Sequence, residues 1–251
     1  MPIDNLVTNY GLDIVGCDMA PETSWSLHAH DDEALLSCAS AGSCTQVMGR
    51  RSWIVLPHHA VWIPRGVEHA VQAGLRGCQL RTIHLPLPVP GNLPGEACVI
   101  EVSPLLKALI ADWESQGDGG GARRAAFRVL ILDEISRATR LDLGLPRVTD
   151  LRLARATSLL QADPSENHGI DALAQLAGMS RRSFIRHFHA ETGMGFAQWR
   201  QRLRVLHARQ LLAEGVSVTE AALTLGYSSP SAFAAMVRRQ LGVTPGSLAQ
   251  R

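Results

Sequence analysis

Leu173–Gly193 reads LAQLAGMSRRSFIRHFHAETG. A short helical stretch, Ile170 to Ala177, stops at Gly178. Ser180 then stands as the cap of a second helix, for which Phe184, Ile185 and Phe188 are expected to form the core face and Gly193 the stop. Further on, Ala221–Gly242 reads AALTLGYSSPSAFAAMVRRQLG, a second and looser copy. There Val218 to Leu225 precede Gly226, Ser228 or Ser229 caps, Pro230 opens the helix, and Phe233, Met236, Val237 and Leu241 make the buried stripe. The turn glycines lie 48 residues apart, whereas Phe184 to Phe233 and Gly193 to Gly242 are 49 apart. The second copy therefore carries one extra residue near the start of its second helix.

Each copy has the pattern of a helix-turn-helix, whose second helix enters the DNA major groove and offers its amino-terminal residues to base edges. In the first copy Ser180, Arg181, Arg182, Ser183 and Arg186 are the expected DNA contacts, since arginine forks match guanine edges and phosphates. In the second, Ser229, Ser231, Ala232 and Ala235 are small and permit close approach. Arg238 and Arg239, a turn later, are suited to phosphates. Charge agrees with this division. Residues 1–146 hold 11 Lys+Arg against 16 Asp+Glu, and residues 147–251 hold 13 Arg against 7, so net −5 is joined to net +6. A basic half is the electrostatic footprint of a phosphate-backbone binder. The alternative, two plain helical hairpins, does not account for both the repetition and the charge.

Residues 150–249 resemble the DNA-binding domain of AraC/XylS-type transcription regulators. The resemblance rests on GMSRRSFIRHF at 178–188, WRQRLRVLHARQLLAEGVSVTEAA at 199–222 and LGYSSPSAFAAMVRRQLGVTPGSL at 225–248. It implies two recognition helices, near 180–191 and 229–240, entering successive major grooves of promoter DNA. A connector near Ala197 to Glu214 would hold them apart. One departure is Phe196, which stands where the second copy has Pro245.

The amino-terminal part has another texture. TSWSLHAH, ALLSCAS, CTQVMG, SWIVLP, HAVWIP, HAVQAG and CQLRTIHLPL are short extended runs punctuated by Gly, Pro and Asp, as in an all-β sandwich or barrel. PLPVPGNLPGEA at 86–97 is too rich in Pro and Gly for regular structure and is expected to end the β region. A helix capped by Ser103 should then bury Leu105, Leu106, Leu109, Ile110 and Trp113 on one face. GDGGGA breaks it, RRAAFRVLILDEISRAT starts another, and Leu143 to Thr149 are expected to be a hinge.

His28 and His30 in HAHDDE (28–33), with His69 in PRGVEH (64–69), resemble the two motifs of the cupin barrel. That resemblance implies a pocket in which His28, His30 and His69 face a divalent transition metal, imidazole being the usual ligand for such ions, or hydrogen-bond an organic effector, with Trp62 as a further effector contact. The cupin carboxylate is missing at its usual place: Ala34 and Leu35 stand there, and Glu33 is one residue early and, by strand alternation, on the opposite face. His58, His59 and His84 are expected to be structural, and Trp25, Trp53 and Trp62 to be core or pocket wall, Trp62 being also the candidate effector contact.

The expected fold is α+β and two-domain: a cupin-like β-barrel at 1–88, a linker and helical dimerisation region at 89–149, and an all-α domain with two helix-turn-helix motifs at 150–251. The expected function is an effector-responsive, sequence-specific transcription regulator that is not an enzyme. Its expected partners are double-stranded promoter DNA, a small-molecule or metal effector, a second copy of itself and RNA polymerase. Two alternatives remain, a cupin-type metalloenzyme with a helical appendage and an architectural DNA binder. The longest apolar runs are too short to span a bilayer. MPIDNLVTNY lacks the basic start and apolar stretch of a signal peptide, and the odd number of unpaired-spacing cysteines fits a reducing cytoplasm.

Overall fold

A computed structural model describes residues 12–249 apart from 22, 58, 117–120 and 142. MPIDNLVTNY and His58 thus lie outside the described residues. The chain forms two compact units, Met1–Cys44 with Pro57–Asp142, and Thr45–Leu56 with Leu143–Arg251. The helices of the middle region belong to the first unit, and twelve residues from the amino-terminal half belong to the second.

In the first unit, antiparallel strands run in the order β1 (Asp13–Met19), β6 (His69–Pro86), β3 (Glu33–Met48), β5 (His59–Ile63), β7 (Cys98–Glu101) and β8 (Arg140–Leu141), with β2 (Ser24–His28) paired to β6. ALLSCAS and CTQVMG merge into the one long strand β3, and HAVQAG and CQLRTIHLPL into β6. The β region does not end at the Pro-rich stretch. Residues 87–97 form no strand, but β7 follows and pairs with β5 in the register Val61↔Val99. Val99 and Ile100 are both fully buried, and that burial outweighs the breaker signal before them.

Side-chain alternation sorts the sheet into two faces. Leu36, Trp62, Ile83, Ile100 and Cys38 share a core with Leu106, Leu109, Ile110 and Trp113 of α1 (Pro104–Gln116) and Phe127, Ile131 and Ile135 of α2 (Gly121–Arg137). The two helices thus cover one face of the sheet. Ser103 caps α1 by accepting from Leu106 N at 3.0 Å. Leu105, expected on the buried face, is instead 46% exposed.

The second unit opens with β4 (Arg51–Val55), paired to β9 (Gly144–Pro146) in the register Arg51↔Pro146, Ser52↔Leu145, Trp53↔Gly144. The expected hinge at Leu143 to Thr149 is therefore a paired strand over three of its seven residues. Leu145, 3% exposed, is anchored in the same core as Ile54 and Leu56. Seven helices follow: α3 (Leu151–Ala162), α4 (Ile170–Leu176), α5 (Arg181–Thr192), α6 (Phe196–Ala213), α7 (Val218–Thr224), α8 (Pro230–Leu241) and α9 (Pro245–Ala249).

Helix α6 is shared by two cores. Trp199, Leu203 and Leu206 join Phe184, Phe188, Leu173, Ile54 and Leu56 in the first. Val205, Ala208 and Leu212 join Ala221, Leu225, Phe233, Met236 and Val237 in the second. Phe196 makes edge contacts with Phe184 at 5.8 Å and Phe188 at 5.5 Å, which gives the departure from proline a packing role. Ile185 does not belong to the core face: it is 45% exposed, whereas Phe184 and Phe188 are 0%.

Candidate effector pocket and DNA-reading helices

The pocket lies on the sheet face opposite the helices. A cavity of about 300 Å³ is walled by Val15, Leu35, Ile63, Val71 and Leu80, with His28, His30, His69 and His84 supplying its polar groups. That volume is at the lower end of the range for small-molecule sites, and a mostly apolar wall with a few convergent polar groups is their usual make-up. Trp25 also lines it. Trp62 does not. It pairs with Leu36 while its neighbour Ile63 pairs with Leu35, so alternation turns the indole to the helix-covered face, where Nε1 donates to Pro94 O at 2.7 Å. The assignment of Trp62 to the effector is thereby corrected.

Both histidine motifs are brought together by local backbone geometry. His28 and His69 are direct cross-strand partners in β2 and β6. The turn before His69 holds Gly66 at φ +70°, which a Cβ would disfavour, and Gly66 N donates to His30 O at 2.7 Å. The ring centroids of His28 and His69 are 4.2 Å apart, and His30 lies 5.3 and 5.5 Å from them.

The hydrogen bonds set the tautomers. Nδ1 of His28 lies 2.8 Å from Ser26 O and Nδ1 of His69 lies 3.0 Å from Val67 O. A carbonyl only accepts, so each Nδ1 carries a proton, and in the neutral ring the lone pair is then on Nε2. Nδ1 of His30 and of His84 lie 2.9 and 2.7 Å from the same Glu33 Oε1. Burial alone would raise the Glu33 carboxyl. The hydrogen bonds and charges of His30 and His84 outweigh it and bring the pKa down to about 2, so the carboxylate accepts from both rings. Burial, aided by the neighbouring His28 and His30, lowers His69 to about 4 despite its hydrogen bond to Val67, leaving it neutral near pH 7.

Sequence reasoning missed Glu33 and His84. Unbroken alternation through HAHDDE would put Glu33 on the opposite face, but β2 ends at His28 and β3 begins at Glu33, so the residues between follow a turn rather than a pleat. Glu33 is 2% exposed and reaches His30 and His84 from behind. His84 shares the phase of Leu80 and Thr82, the one sequence signal that places it in the pocket wall.

The residues fit a metal ion. One ring nitrogen from each of His28, His30 and His69 lies within 4.8 Å of the others. Each ring has its Nδ1 fixed by an oxygen acceptor, as metal-binding imidazoles usually do. Oε2 of Glu33, buried, has no hydrogen-bond partner among the described residues.

The DNA-reading part has matching geometry in its two copies. Ser180 Oγ accepts from Ser183 N at 3.2 Å and Ser229 Oγ from Ala232 N at 3.1 Å, so two of the four expected DNA-contact serines cap their helices. Gly193 and Gly242 end those helices in the left-handed conformation. Arg182, Arg186, Ser231, Ala232, Ala235, Arg238 and Arg239 are exposed, while Ser183 is half-buried. Arg181 is exposed too, with Nη1 donating to Asp171 in α4 at 2.7 Å. Not all of the positive charge points outward for DNA. Arg200 Nη1 donates to His168 O at 3.0 Å and Arg204 Nε to Pro164 O at 2.9 Å, tying the 164–168 loop to α6.

Paired helix-turn-helices on one connector, together with an apolar pocket in a separate β-rich unit, define a ligand-responsive DNA-binding regulator. The chain belongs to the AraC family of HTH-type transcription regulators. Residues 17–136 match the AraC-like ligand binding domain and residues 173–251 match a helix-turn-helix domain. It is 31% identical over 227 residues to the HTH-type transcriptional regulator NimR of Escherichia coli (strain K12), covering 90% of this chain and 82% of that one. It is 33% identical over 115 residues to the regulator RipA of Corynebacterium glutamicum, covering 45% of this chain but 35% of RipA. Among solved structures, the DNA-binding domain of AdpA in complex with a target DNA is similar over 39% of this chain and 90% of that one, at 37% identity and a TM-score of 0.37. A family of regulators displaces the metalloenzyme alternative. No helix of the described residues is long and apolar enough to cross a membrane.

Proposed function

We propose that the regulator acts in the cytoplasm as a homodimer on promoter DNA, with the histidine-lined cavity as its effector site and His28, His30 and His69 holding a divalent transition metal through Nε2. The observation that carries this is the set of Nδ1 hydrogen bonds, which leaves Nε2 as the donor atom on all three rings. Glu33 orients His30 and His84 and adds negative charge behind them. A metal with three imidazoles can accept a further donor from an organic effector, whose body would lie against Val15, Leu35 and Leu80. Effector occupancy shifts the regulator between states only by the difference in its affinity for them. RNA polymerase is the proposed partner at the promoter.

The test is a double variant of the full chain, His28→Ala with His30→Ala. Elemental analysis after incubation with zinc, nickel or cobalt should find about one metal per wild-type chain and under about a tenth of that in the variant, set by the loss of two of three ligands. DNA affinity without effector should stay within about twofold, because neither residue belongs to the reading helices. Equal metal content in the two proteins removes the metal assignment.

Dimerisation is assigned to α2. Its helix-covered sheet partner takes Phe127, Ile131 and Ile135, yet Ala122, Ala125, Ala126, Val129 and Leu130 remain exposed at the spacing of a second face, Val129 by 66%. Val129→Glu with Leu130→Glu should sediment as a monomer at concentrations where the wild type is a dimer. A variant that sediments like the wild type removes this interface.

A further inference from the structure

We infer that Ile185 reads DNA sequence, its side chain packing on the 5-methyl group of a thymine in the major groove. Arg182, Ile185, Arg186 and His189 are all exposed and fall at i, i+3, i+4 and i+7, so they share one face of α5. That face turns away from Phe184 and Phe188, and Ile185 is absent from the core they form. A β-branched residue also gives a helix slightly less stability than leucine or alanine would. Ile185 therefore serves neither the core nor the helix, and it sits in the amino-terminal half of the helix that enters the groove.

The chemistry on either side sets what it can meet there. Arginine forks match the O6 and N7 of guanine, and the thymine methyl is the apolar feature of the major groove. Arg182 and Arg186 frame Ile185, so the geometry points to a thymine beside a guanine. The 49-residue offset maps the same face of α8 onto Ser231, Ala234, Ala235 and Arg238. None of these carries a long apolar side chain, so the isoleucine contact has no counterpart of equal reach under α8.

The experiment starts from a duplex selected out of random sequence by the full chain. Each thymine is replaced in turn by deoxyuridine, which removes the methyl group and leaves the hydrogen-bonding edge intact. At one thymine under α5 the wild type should lose about fourfold in affinity, the equilibrium factor for one buried methyl-sized group. Ile185→Ala should bind the two duplexes equally, and Ile185→Val should recover part of the difference. Thermal stability should not fall appreciably in either variant, because the side chain lies outside the core. Insensitivity of the wild type to every deoxyuridine, or the same loss in Ile185→Ala, overturns the inference. Failure of the full chain to select any sequence would instead overturn the DNA reading on which it rests.

Discussion

Phe188→Ala should lower the stability of the DNA-reading unit by about 3–5 kcal/mol, the usual cost of deleting a buried aromatic ring. Phe188 is 0% exposed, and its ring stacks on Phe184 at 5.8 Å and meets Phe196 and Trp199 edge-on at 5.5 and 5.7 Å. All four rings sit on α5 or in the first turn of α6, so the cavity would open between the reading helix and its connector. Set against a typical domain stability of about 5–15 kcal/mol, such a loss is a large fraction of the total. Chemical denaturation gives the magnitude. Sequence-specific DNA binding should fall with it, since the helix can be presented to the groove only while this cluster is intact. A loss below about 1 kcal/mol would mean that neighbouring side chains collapse into the space.

Leu56→Ala should weaken the same unit by about 2–4 kcal/mol, although position 56 lies far from it in sequence. Leu56 is 4% exposed and shares a core with Leu153, Phe184, Phe188 and Trp199. The strand pair that carries it is fastened at several points: Arg147 N donates to Arg50 O at 2.8 Å, Trp199 Nε1 to Pro146 O at 2.7 Å, and Arg50 Nη2 to Glu191 O at 2.7 Å. Hydrogen exchange locates the effect. Amides of α5 and α6 should exchange faster in the variant, while those of β1 and β6 should be unchanged. Faster exchange confined to β1 and β6 would place Leu56 in the wrong core.

The helical unit was legible because its signals are local. Ser180, Ser229, Gly193 and Gly242 are caps and stops whose chemistry acts within one turn, and the helices fall within a residue or two of where those signals put them. The histidine pocket was legible in part. His28, His30 and His69 converge as their motif implies, yet Glu33 and His84 needed knowledge of where one strand ends and the next begins. Trp62 is hidden for a related reason: one residue of strand phase decides which side of the sheet a side chain faces, and the short run HAVWIP does not fix that phase by itself. Ile185 was misplaced because helical spacing marks a stripe but not its edge, and an apolar residue at that edge can face either way. Strands β7 and β9 were unreadable locally, being four and three residues long and held by partners distant in sequence.

Strand β3 begins beside the pocket histidines, carries Leu35 and Ser37 in the cavity wall, and ends among residues that belong to the DNA-reading unit. Chimaeras that splice a foreign sensor onto this regulator at the obvious seam near residue 143 would discard Ile54 and Leu56 along with the old pocket. Transplanting the reader intact requires the 45–56 segment to travel with it, as a donated strand.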